Sequence, residues 1–103
     1  MGMRIEVAHK LTLAEAKQRM EALGDYLQNK HGINVAWNGD KATANGRYLV
    51  VHIEGSMTVT DKFVDFDGKD PGVLWRGKAK TYLQGKLETY LNPATPVEKL
   101  PRR

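Results

Sequence analysis

Met3, Ile5 and Val7 alternate with Arg4, Glu6 and Ala8, the period of a strand with one buried face. From residue 13 the spacing lengthens to three and four. Leu13, Ala16, Met20, Leu23 and Leu27 then form one stripe, while Glu15, Lys17, Arg19, Glu21 and Gln28 point away from it. Thr12 followed three positions later by Glu15 is a capping box, in which hydroxyl and carboxylate each accept from an amide left free at a helix start. Gly32, just past Lys30 and His31, suits the left-handed residue that ends many helices. A helix is therefore predicted over 13–31.

Short β segments follow. Residues 33–37, 41–44 and 47–54 are separated by Asn38-Gly39 and Asn45-Gly46, a dipeptide that accepts the two positive φ angles of a tight hairpin. Residues 48–53 are apolar at nearly every position, as expected of a central strand. Gly55 marks a bend, a bulge or a tight turn before residues 56–60, and Asp61-Lys62 turns into a strand over 63–67. On that strand Val64 and Phe66 should meet the core, with Phe63, Asp65 and Asp67 on the other face.

Asp70-Pro71 predicts a second helix running to about Leu91, because aspartate can cap free amides and proline fits the first turn. Trp75, Ala79, Tyr82, Leu83, Leu87 and Tyr90 gather on one broad face of it, with Gly77 and Gly85 opposite. Each glycine costs about 1 kcal/mol relative to alanine, so packing of the aromatic face onto the sheet must supply the stability. The order of strand, helix, antiparallel meander and helix gives an α+β fold with two helices on one face of a curved antiparallel sheet. A single domain is expected over residues 1–91. A basic tail follows over 92–103, holding three of the four prolines and reaching back to the body through Val97 and Leu100.

Composition removes several chemistries. The chain has no cysteine, so thiol nucleophiles, disulfides and thiolate metal sites are excluded. No run of about 18 apolar residues occurs and charged residues follow Met1, so neither a membrane span nor a signal peptide is expected and a cytoplasmic location is the default. The net charge of +4 sits in the C-terminal third, where residues 71–91 carry four basic groups and one acidic group, without the dense block of a nucleic-acid arm.

The three histidines lack metal-type spacing, and neither a metal nor a cofactor is expected. His31 at a helix C-terminus is accounted for by the helix dipole. His9 and His52 meet only if the first strand pairs with the central one, and His52 reads as an ordinary strand residue before it reads as a ligand. Asp65 and Asp67 read as a solvated strand face rather than a catalytic pair. Ser56 is the only serine and stands outside any Gly-x-Ser-x-Gly motif. No catalytic constellation emerges. The most suggestive surface is helix two, where Arg76, Lys78, Lys80 and Lys86 accompany Trp75, Tyr82 and Tyr90. Rings at an amphiphilic boundary with cations beside them suit an anionic surface, although the same aromatics are more simply a core.

Taken together, the strand ending in His9, the amphipathic helix ending at a glycine, Trp37 followed by Gly39-Asp40, the Gly55-Ser56-Met57-Thr58-Val59 strand and the Trp75-Arg76-Gly77-Lys78-Ala79-Lys80 helix resemble the polyhydroxyalkanoic acid system protein family over roughly residues 5–91. The resemblance implies a cytoplasmic bacterial protein without known enzymatic activity, found at polyester storage granules, with a reduced helix-grip fold. The chain departs from the family pattern in being longer between Asp40 and Gly55 and in carrying the proline-containing tail. The leading expectation is thus a non-enzymatic protein that binds a polyhydroxyalkanoate granule surface or a granule-associated protein through Arg76, Lys78, Lys80 and Lys86. The alternative is a small-ligand-binding protein with a cavity between helix two and the sheet, lined by Trp75, Tyr82, His52 and Met57. Nucleic-acid binding ranks last, and a homodimer through a sheet edge is left open.

Overall fold

The period-two segments pair into one five-stranded antiparallel sheet in the computed structural model, which describes residues 2–48, 51–70, 72 and 74–103. The strands are β1 (Gly2–Ala8), β2 (Asn34–Asn38), β3 (Lys41–Tyr48), β4 (Val51–Val59) and β5 (Phe63–Lys69), in the spatial order β1-β5-β4-β3-β2. Helix α1 (Leu13–His31) follows β1, and α2 (Arg76–Tyr90) follows β5. Both helices cover the same face of the curved sheet, which is the α+β arrangement expected from the sequence.

Helix α1 begins and ends where its caps place it. The Thr12 hydroxyl accepts from the Glu15 N–H at 3.2 Å, and Gly32 stops the helix at φ 70°. The Glu15 carboxylate does not complete the capping box; it turns to Arg19 at 3.2 Å. Arg19 itself corrects the sequence reading. It is 1% exposed rather than directed to solvent, and its Nη1 donates to the carbonyls of Tyr90 (3.1 Å) and Asn92 (2.9 Å). The guanidinium thereby supplies donors to carbonyls that the end of α2 leaves without helical partners.

On the sheet's covered face, cross-strand rows mix large and small residues. One row joins Trp37, Ala42, Met57, Phe66 and Ile5; the next joins Val35, Ala44, Gly55, Gly68 and Met3. Val64 and Phe66 face the core as expected, at 0% and 7% exposure. Arg4, Asp65, Thr58 and His52 lie on the other face, which neither helix covers, and Arg4 pairs there with Asp65 at 2.8 Å.

Two glycine signals do not mark the predicted breaks. Asn45-Gly46 lies inside β3, and Tyr48 pairs with Val51 across the β3–β4 hairpin, with residues 49–50 outside the described residues. Gly46 serves contact instead, since a Cβ there would stand 2.9 Å from the Ile33 Cα. Gly55 is neither turn, bend nor bulge. It lies in continuous register between Ala44 and Gly68, and a Cβ on it would meet the Phe66 ring at 2.8 Å.

Helix α2 starts later than Asp70-Pro71 predicts, at Arg76. Gly72 at φ 105° breaks any earlier start, and Pro71 lies outside the described residues. Asp70 accepts from the Gly72 N–H at 2.9 Å and pairs with Arg76 at 2.6 Å, contacts that hold its carboxyl below the ordinary range. After α2 the chain returns along α1 through a 3₁₀ turn, Val97–Lys99. Leu100 is buried, the Tyr90 hydroxyl donates to the Pro101 carbonyl, and Arg102 pairs with Asp25.

Candidate functional site

Helix α2 is seated at one end only. Leu87, Tyr90 and the following Leu91 are buried, whereas Ala79 and Leu83 are half-buried, Tyr82 is 42% exposed and Leu74 is 82% exposed. The broad apolar face predicted for this helix is therefore split. Its last turns belong to the core, and its first turns stand off the sheet.

The gap is a cleft of about 380 Å³. Its floor follows from the small-residue row: with no side chain on Gly55 or Gly68, the Phe66 ring packs down over the two glycines, and Ala44 beside them is small. Phe66, Ala44, Ile33 and Ile53 line the sheet side, Leu27 and His31 the α1 side, and Trp75, Ala79 and Leu83 the α2 side. Carbon dominates the lining. The polar contributors are His31, Tyr82 and Lys78, and no carboxylate lines the cleft among the described residues.

An aromatic cluster closes one end. The His31 Nε2 lies 2.9 Å from the Tyr82 hydroxyl, and the two rings stand edge to face with centroids 5.8 Å apart. Lys86 places its ammonium 4.4 Å from the Tyr26 ring centroid and 5.6 Å from that of Tyr82. Desolvation, followed by the neighbouring charges of Lys30 and Lys86, pushes the His31 imidazole below its ordinary value. His31 thus does more than answer the helix dipole, and no spacing in the sequence links it to residue 82.

Of the residues named for a cavity, Trp75 and Tyr82 line this cleft. Met57 lies within the filled core, and His52 sits on the opposite face of the sheet, 3.6 Å from the Glu54 carboxylate. His9 and His52 do not meet, because β5 separates β1 from β4. The Leu11 N–H donates to His9 Nδ1 at 3.0 Å, which leaves Nε2 to donate to the Thr60 carbonyl at 2.8 Å. Among the four cations named for surface binding, Arg76 is bound by Asp70 and Lys86 by the tyrosines. Lys78 lies 5.8 Å from the Trp75 ring centroid, and Lys80 is exposed.

A second hollow, about 470 Å³ and more polar, lies between α1, β2 and the C-terminal residues, with Glu21, Asp25, Trp37 and Arg102 around it. The Arg102–Asp25 pair occupies its rim. Among the described residues no group of three or more His, Asp or Glu side chains could hold a metal ion, and no helix is long and apolar enough to cross a membrane.

Comparison with curated proteins and with solved structures returned no match. The family model described as putative polyhydroxyalkanoic acid system protein matches residues 3–94, nearly the whole of the fold described above, and the chain belongs to that family.

Proposed function

We propose that this is a non-catalytic, cytoplasmic protein of the polyhydroxyalkanoate system that binds the granule surface, or a protein seated on it, through the first half of α2. The observation that carries the reading is the start of that helix, where Leu74, just before the first turn, is 82% exposed and Lys78 and Lys80 in the following turns are exposed too. An apolar side chain and nearby ammonium groups suit a boundary between polyester and water: carbon meets the polymer, and cations meet anionic groups at the boundary. Arg76, held by Asp70, shapes the turn, and Lys86 braces the tyrosines. Neither is the principal contact.

Sedimentation with isolated polyester granules tests the reading. The wild-type protein should pellet with granules, and Leu74→Glu or the pair Lys78→Glu and Lys80→Glu should lower the bound fraction several-fold without altering the circular dichroism. A protein that stays in the supernatant, or variants that pellet as well as the wild type, would overturn it.

A second reading, a binding protein for a small ligand, is favoured by the cleft itself. Its volume of about 380 Å³ falls within the range of small-molecule sites.

A further inference from the structure

We propose that the cleft between α2 and the sheet binds one molecule of a free aliphatic carboxylate, its chain of about eight to twelve carbons along Phe66 and Ile53 and its carboxylate at Lys78. The proposal rests on the small-ligand reading and names the ligand's class. Three observations carry it. The floor and walls are carbon, from Phe66, Ala44, Ile53, Leu83 and Trp75, so the occupant must be largely apolar. The volume of about 380 Å³ holds a chain of this length, since a methylene takes roughly the room of one water, about 30 Å³.

The third observation is the sign of the charge. Lys78 stands in the wall, and no carboxylate lines the cleft among the described residues. An anionic head gains at this mouth, a neutral head gains nothing from charge, and a cationic head is repelled. The chain end would lie over the Phe66 ring, which packs down onto Gly55 and Gly68 and forms the floor.

Calorimetric titration of the full chain with octanoate, 1-octanol and octylammonium tests this. Octanoate should bind saturably, one per chain, about three-fold more tightly than octanol, the size expected of an exposed ion pair, and octylammonium should bind more weakly than either. Lengthening the acid from six to ten carbons should tighten binding about four-fold per methylene. Lys78→Gln, at an exposed position, should bring octanoate to the affinity of octanol, and Ala79→Phe, which adds a phenyl ring, should take up about half of the cleft and weaken binding of all three.

If octanol binds and octanoate shows no advantage, or octylammonium matches octanoate, the anionic-head proposal falls and the small-ligand reading stands. If none of the three binds, both fall. An unchanged affinity in Ala79→Phe would place the ligand elsewhere and overturn the site. Should that variant fail to fold, Lys78→Gln and the chain-length series still decide.

Discussion

Arg19 shows how one buried charge can tie two helices together. Its hydrogen bonds to the Tyr90 and Asn92 carbonyls hold the end of α2 against the middle of α1. Arg19→Met keeps the volume of the stem and removes both bonds together with the exposed-side pair to Glu15. It should cost about 2 kcal/mol in urea denaturation, because charged donors to buried carbonyls are the stronger class of hydrogen bond. Since some buried charges can be replaced by apolar groups without loss, an unchanged midpoint would show that the clamp contributes nothing. His31 gives a pH-dependent counterpart. Its folded-state value lies below the ordinary 6.5, so the unfolded chain takes up the proton first on acidification. The stability held above pH 6.5 should decline as pH falls through that value and level off below the folded-state value. Urea midpoints between pH 7.5 and pH 5 should fall less steeply in His31→Gln than in the wild type. Parallel slopes would mean that His31 is not the group responsible.

At the scale of elements, sequence legibility depended on whether a signal was local. Thr12 and Gly32 bounded α1 because caps act within a few residues, and the alternation in β1 and β5 identified the covered face. Gly46 and Gly55 misled because their small size answers the approach of Ile33 and Phe66, residues brought there by register. The same holds for the site. Trp75 and Tyr82 were legible from helical spacing, whereas the Ala44-Gly55-Gly68 row that seats the Phe66 ring in the cleft floor exists only once three strands are paired. Arg19 was misread because a polar residue beside an apolar stripe ordinarily faces water. The C-terminal residues make a further element-scale prediction. Leu100 is 4% exposed against the core, so Leu100→Ala should lower stability by about 2 kcal/mol. A change below about 0.5 kcal/mol, the scale of an ordinary surface substitution, would show that the segment does not pack in solution.

For the whole molecule, the two faces of the sheet divide the work. One face carries the helices, the core and the cleft; the other presents Arg4, Asp65, Thr58 and His52 in an uncovered polar layer. The function we propose lies on the covered side, at the end of α2 where packing is incomplete and Leu74 is exposed. This follows from a hydrophobic seam that closes at Leu87 and Tyr90 and stays open at Trp75 and Ala79. The most direct measurement is fractionation of cells grown with and without stored polyester, with the protein followed by immunoblot. The protein should travel with the granules in storing cells, and Leu74→Glu should move it to the soluble fraction. Recovery of the wild-type protein in the soluble fraction under both conditions would contradict the proposal.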